Sequence, residues 1–104
     1  KVTYERGYPT LSNDPGAVNL ARAAVTAALG SEAILEIDRP SMGGEDFAFF
    51  TQLIPGAFLW LGCRRAGESR FPIHNSRYTF DEEALPHGVE LLCRLALLAL
   101  QESS

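Results

Sequence analysis

The sequence predicts an incomplete α/β fold, with about three strands flanked by two long helices and one short helix. Three observations carry that expectation. Apolar residues recur at helical spacing from Val18 to Leu29, and again through a leucine-rich stretch to about Leu100. Ala57-Phe58-Leu59-Trp60-Leu61 is apolar at every position, the mark of a strand covered on both faces. At 104 residues and 46% hydrophobic, the chain can build one core and is too short for two ordinary domains.

Each element has a local reason. Val2 to Arg6 alternates apolar and polar residues as a half-buried strand does, and Gly7-Tyr8-Pro9 ends it. Leu11-Ser12-Asn13-Asp14-Pro15 is a helix start: Asn13 or Asp14 can cap the free N–H groups, and Pro15 suits the first turn. Val18, Ala21, Val25, Ala28 and Leu29 share one face, and Gly30 closes the helix. Ala33 to Ile37 reads as a short strand. Glu45-Asp46 can open a short helix that turns Phe47, Phe50 and Ile54 inward, acids being favoured in a first turn. Pro55-Gly56 turns the chain into the Trp60 strand, and Gly62 to Phe71 is a polar loop. Irregular chain follows from Pro72 to Arg77, then Asp81-Glu82-Glu83 starts the last helix. The expected core is Val18, Val25, Ile34, Phe47, Phe50, Phe58, Trp60, Leu92 and Leu95.

Composition excludes several function classes. A net charge of −4 leaves no electrostatic footprint for nucleic acid or an anionic membrane. The one basic cluster, Arg64, Arg65 and Arg70, is interrupted by Glu68 and reads as a solvated loop. The apolar run Leu91 to Leu100 is short for a bilayer and contains Arg94. Cys63 and Cys93 are far apart and read as reduced and buried, which fits a cytoplasmic setting. The chain starts without an initiator methionine or an apolar leader, as a piece of a longer protein would.

Two places could carry chemistry. His74 sits in a loop after an apolar strand, where ligating residues concentrate, although a loop histidine is also an ordinary surface residue. His87 lies beside Glu83 and Glu90 and reads as solvated. No pair of residues has the spacing of a self-sufficient zinc site, and no nucleophile elbow, phosphate loop or dinucleotide fingerprint is present. The second place is Ser41-Met42-Gly43-Gly44-Glu45-Asp46. Adjacent glycines let a ligand approach bare backbone, or simply make a tight turn that starts a helix.

The succession SMGGEDFAFF, PGAFLWLGC and HNSRYTFDEEALPHGVELL resembles the C-terminal part of metal-dependent amidohydrolases of the hippurate hydrolase type. That family also includes auxin-conjugate hydrolases and relatives of aminoacylase and of zinc carboxypeptidases acting on acyl amino acids. Upstream, RGYPTLSNDPGAV is similar to the stretch where the family's chain leaves its lid domain and re-enters the catalytic domain. The resemblance covers nearly the whole chain, with its motifs in the family's order.

The resemblance implies residues 1–11 as the last strand of the lid, or dimerisation, domain with its crossover. Residues 12–104 would be the C-terminal segment of a three-layer α/β catalytic domain. It implies that His74 is a metal ligand, matching the histidine of a His-Asn/Ser-Pro-x-Phe loop, with departures at Ser76 (commonly proline) and Tyr78 (usually phenylalanine). Met42, Gly43, Gly44 and Glu45 match the loop beside the substrate pocket. His87 stands where the family has an aliphatic residue.

The family's other ligands and its catalytic glutamate match nothing in this chain, so no catalytic residue is assigned. The complete enzyme would use divalent metal (zinc, manganese, nickel or cobalt) to cleave the amide of N-acyl amino acids or related peptides. This chain alone would be inactive and hold no metal tightly. Its expected partners are the small substrate, the remaining part of the protein, and a second copy, through the Val2 to Arg6 edge or an apolar helix face. The other reading, a stand-alone non-catalytic α/β binding or assembly module, is disfavoured by the presence of His74 and the glycine pair.

Overall fold

Helix α1, Pro15–Leu29, forms where the sequence places it and shows why. The Asp14 carboxylate accepts the Ala17 N–H at 2.9 Å, and Pro15 takes the first turn, where no N–H is needed. At the other end Gly30 adopts φ 90° and ψ 157°, and its N–H donates to the Thr26 carbonyl at 3.1 Å. A single 3-10 turn, Ser31–Ala33, packs back on the helix. This computed structural model describes residues 1–67 and 71–102. Glu68 and Arg70 of the basic loop, and the last two residues, lie outside that range.

The chain divides into two compact units, Lys1–Phe58 and Leu59–Ser104. The first holds α1 and a short helix α2, Phe47–Thr51. Here Asn13 does something its neighbour does not. Its side-chain amide donates to the Phe58 carbonyl at 3.1 Å, and its oxygen accepts the Phe58 N–H at 2.8 Å. Asp14 N–H adds a bond to the Gly56 carbonyl at 2.9 Å. Phe47, Phe50 and Phe58 gather beside this clamp, with Phe47 5.8 Å from Phe50 and 5.9 Å from Phe58 between ring centres.

The second unit is an irregular stretch followed by α3, Ala84–Glu102. Asp81 organises the start of that helix: its carboxylate accepts the Glu83 N–H at 3.2 Å and its carbonyl the Ala84 N–H at 3.0 Å. Its own N–H donates to the Cys63 carbonyl at 2.7 Å. Gly88 lets the extended chain come close, since a Cβ there would lie 3.0 Å from the Leu61 side chain.

The α/β expectation is overturned: no strand is present among the described residues. Val2 to Arg6 and Ala57 to Leu61 have no ladder, and Ala33 to Ile37 begins in the 3-10 turn. The reason is partnership. A strand exists only where a neighbouring backbone takes its N–H and C=O groups, and at Phe58 the partner is the Asn13 side-chain amide rather than a second strand.

The core shifts accordingly. The buried apolar residues are Ala21, Ala24, Ala48 and Ala84, while Trp60 is 59% exposed and Phe50 and Leu92 are exposed as well. Val18, Val25, Ile34, Phe47, Phe58 and Leu95 are half-buried. Cys63 is half-buried and Cys93 exposed, both as free thiols, so the expectation of two buried cysteines fails. In α3 the window Ala84–Gln101, with mean hydropathy 1.2, is long and apolar enough by length and composition to cross a membrane. The shorter Leu91 to Leu100 run did not suggest this. Glu90 and Arg94 pair across one turn of the same helix at 2.8 Å.

Candidate functional site

The His74 loop is two consecutive turns that share Asn75. Asn75 N–H donates to the Pro72 carbonyl at 3.1 Å, and Tyr78 N–H donates to the Asn75 carbonyl at 2.9 Å. The Asn75 side-chain oxygen also accepts the Arg77 N–H at 2.9 Å. His74 occupies the third position of the first turn with φ 71°, and among the described residues no other non-glycine residue has positive φ. A turn prefers glycine or asparagine in that conformation. An imidazole there is held against backbone preference, on the order of 1–2 kcal/mol, and its side chain is exposed.

The loop's flanks are aromatic. The Arg77 guanidinium lies 4.1 Å above the centre of the Phe71 ring. Tyr78 stacks near Phe80, 6.2 Å between ring centres, and its hydroxyl meets Cys63 Sγ at 3.4 Å. That thiol contact raises the Tyr78 phenol above its usual value of 10.0, with desolvation and the charge of Cys63 adding to the effect. Arg65 pairs with Asp81 at 3.3 Å.

The glycine loop belongs to the first unit. Gly43 N–H donates to Ser41 Oγ at 3.3 Å, and Met42 is 95% exposed. Neither Gly43 nor Gly44 has positive φ. Gly44 is needed for close approach instead: a Cβ there would lie 2.7 Å from Tyr8 Cδ2. Tyr8 in turn meets Phe49 edge-on, 5.9 Å between ring centres. Gly43 is open, with only Ser41 Oγ within reach at 3.5 Å. At the start of α2 the acid bound to backbone is Glu45, whose carboxylate accepts the Phe47 N–H at 3.1 Å. Asp46 makes no side-chain capping bond.

His74 as a donor suits a divalent cation, being an exposed imidazole on a hydrogen-bonded turn. Among the described residues no three of His, Cys, Asp and Glu gather as a metal group. One donor is therefore in hand, and a complete coordination shell is not. Sequence reasoning missed Tyr8 over Gly44, the Asn13 clamp and Arg77 over Phe71. Each joins residues through tertiary contact, for which a single sequence holds no periodic signal.

Residues 1–98 match the model of Peptidase family M20/M25/M40. The chain belongs to that family. An M20/M25/M40 identity agrees with the resemblance carried by the glycine and histidine motifs. Among curated relatives, the N-acetylcysteine deacetylase of Bacillus subtilis (strain 168) is 36% identical over 93 residues, 89% of this chain and 23% of the relative. The IAA-amino acid hydrolase ILR1-like 2 of Arabidopsis thaliana is 31% identical over 96 residues, 92% of this chain and 22% of the relative. A Rhodococcus jostii (strain RHA1) protein, a glutamate--cysteine ligase 2-3 by name, is 35% identical over all 104 residues but only 13% of its own length. Its name describes a chain that lies mostly outside the match. This M20/M25/M40 chain thus spans 13–23% of the length of these relatives. No solved structure gives a significant match.

Proposed function

We propose that the chain is the C-terminal segment of a metal-dependent amidohydrolase that cleaves the amide bond of N-acyl amino acids or related peptides. In this reading residues 1–11 close the lid domain, and residues 12–104 belong to the catalytic domain. The observation that carries the proposal is the backbone of His74, held at φ 71° in a loop whose turns are fixed by Asn75. Strain of this kind concentrates at functional sites, because nothing in stability favours it. Family membership supplies the chemistry.

His74 would hold the metal as one of several ligands, the rest coming from outside this chain. A divalent metal, when bound, polarises the amide carbonyl and acidifies a water molecule. The turn hydrogen bonds hold the His74 backbone, and so the root of the imidazole, in place. Met42, Gly43, Gly44 and Glu45 are assigned to the substrate-facing loop. Gly43, with open space around it, leaves backbone accessible, while Tyr8 covers Gly44. Small acyl amino acids are the expected partners, together with the rest of the protein and a second copy.

The test is expression of the reading frame that carries this segment, assayed against a panel of N-acyl amino acids with and without chelator. His74→Ala should reduce hydrolysis by more than about 100-fold, since even outer-shell partners of a metal ligand are worth about 10–100-fold. His74→Gly should lose activity equally while holding or raising thermal stability, because glycine adopts φ 71° without strain. Undiminished hydrolysis in both variants would overturn the ligand assignment.

A further inference from the structure

We infer that Arg77 is a specificity-determining residue that binds the free α-carboxylate of the substrate, an assignment that rests on the amidohydrolase reading above. The first ground is position. His74 and Arg77 are the third residues of two consecutive turns, and Asn75 ties both turns together through its N–H, its carbonyl and its side-chain oxygen. The guanidinium and the imidazole therefore stand on one short hydrogen-bonded frame.

The second ground is that Arg77 is held but not neutralised. Arg22 pairs with Glu36, Arg65 with Asp81, and Arg94 with Glu90. Arg77 has no carboxylate partner among the described residues and instead lies on Phe71, 4.1 Å from the ring centre. Stacking uses the face of the guanidinium and leaves the N–H groups along its edge free. That edge is the part that matches a carboxylate with two parallel hydrogen bonds. A stacked arginine also has less rotamer freedom to lose on binding than a solvated lysine.

The third ground is chemical. In an N-acyl amino acid the carboxylate is one carbon removed from the scissile nitrogen, so a cation serving it must lie near the groups that act on the amide. A residue three positions from the metal ligand, on the same turn frame, meets that requirement. A fixed guanidinium on the ligand loop puts positive charge where the carboxylate has to sit. An internal peptide bond has no such carboxylate and would gain nothing from Arg77.

The experiment compares an N-acetyl amino acid with its carboxamide. In the protein carrying this segment, Arg77→Ala should lower kcat/KM for the acid by about 10- to 150-fold, the value of a charged hydrogen-bonded contact. Most of that loss should fall in KM. The carboxamide should be unaffected, metal content should not change, and Arg77→Lys should recover part of the loss. Equal loss on both substrates, or no loss on the acid, overturns the assignment. A binding measurement separates this from failure of the hydrolase reading. In the same protein carrying this segment, N-acetyl amino acid should shift the Arg77 side-chain N–H resonance and the carboxamide should not. That shift supports the carboxylate site even in a protein that hydrolyses neither compound, and its absence overturns it.

Discussion

Gly44→Ala separates the two adjacent glycines, which composition alone treats as equivalent. A methyl group at Gly44 would lie 2.7 Å from Tyr8 Cδ2, 3.3 Å from Cε2 and 3.7 Å from Cγ. Carbon atoms settle at about 3.5–4.0 Å, so the ring must retreat by roughly 1 Å. Its edge-on contact with Phe49 then opens, an arrangement worth about 0.5–1.5 kcal/mol beyond buried area. Overpacking in closed cores costs about 1–3 kcal/mol. Tyr8 is 59% exposed and can swing into water, which places the expected loss near the bottom of that range, about 1 kcal/mol.

Gly43→Ala meets only Ser41 Oγ at 3.5 Å, an ordinary contact, and Gly43 lacks positive φ. Alanine there should be neutral, or stabilise by up to about 1 kcal/mol through the unfolded chain. The assay is denaturant unfolding followed by far-ultraviolet circular dichroism, on both single variants and on Gly44→Ala combined with Tyr8→Ala. Once Tyr8 is gone the added methyl has nothing to meet. The double variant should therefore lose less than the sum of its parts, with a coupling of about 1 kcal/mol. Additive losses, or equal effects at Gly43 and Gly44, would refute the reasoning.

Two further outcomes follow from local geometry. Gly30→Ala should lower stability by about 1–3 kcal/mol, since φ 90° with ψ 157° is a region open essentially to glycine alone, and the Glu32 carboxylate crowds the same position. A thermal melt of the helical signal checks it. Tyr78 is raised by its contact with the Cys63 thiol, so its neutral form is favoured in the folded chain. The folded value lies above the unfolded one; the resulting stabilisation is complete below the unfolded value and is lost as pH rises through the folded one. Cys63→Ala should move the Tyr78 titration down toward 10.0, read from its ring resonance, and an unchanged titration would show that the thiol is not the cause.

The helices were legible because their determinants are local. Asp14, Pro15 and Gly30 act within a turn of their own positions, and α1 runs from Pro15 to Leu29 as they dictate. The start of α3 at Ala84 is likewise set by Asp81, three residues away. The candidate ligand was legible as a motif, but its backbone strain was not: φ is a property of the turn that Pro72, Asn75 and Tyr78 make together. Asn13 shows the limit of local reading. Its identity allows a cap, yet Asp14 takes the cap and Asn13 reaches a residue 45 positions away.

The sheet failed for the complementary reason. An apolar run such as Ala57 to Leu61 records the environment its side chains suit, and says nothing of who supplies the hydrogen bonds. At Phe58 the Asn13 amide supplies both, one donated and one accepted, which is the exchange a neighbouring strand makes with a hydrogen-bonded residue. A single side chain can do this once. It builds no ladder along the run, and Trp60 stands 59% exposed. The small residues Ala21, Ala24, Ala48 and Ala84 are the buried apolar positions instead. Side-chain pattern thus selects which surfaces seek cover, whereas strand formation waits on a second backbone. In this chain the first condition is written in every residue of the run, and no second strand meets the other among the described residues.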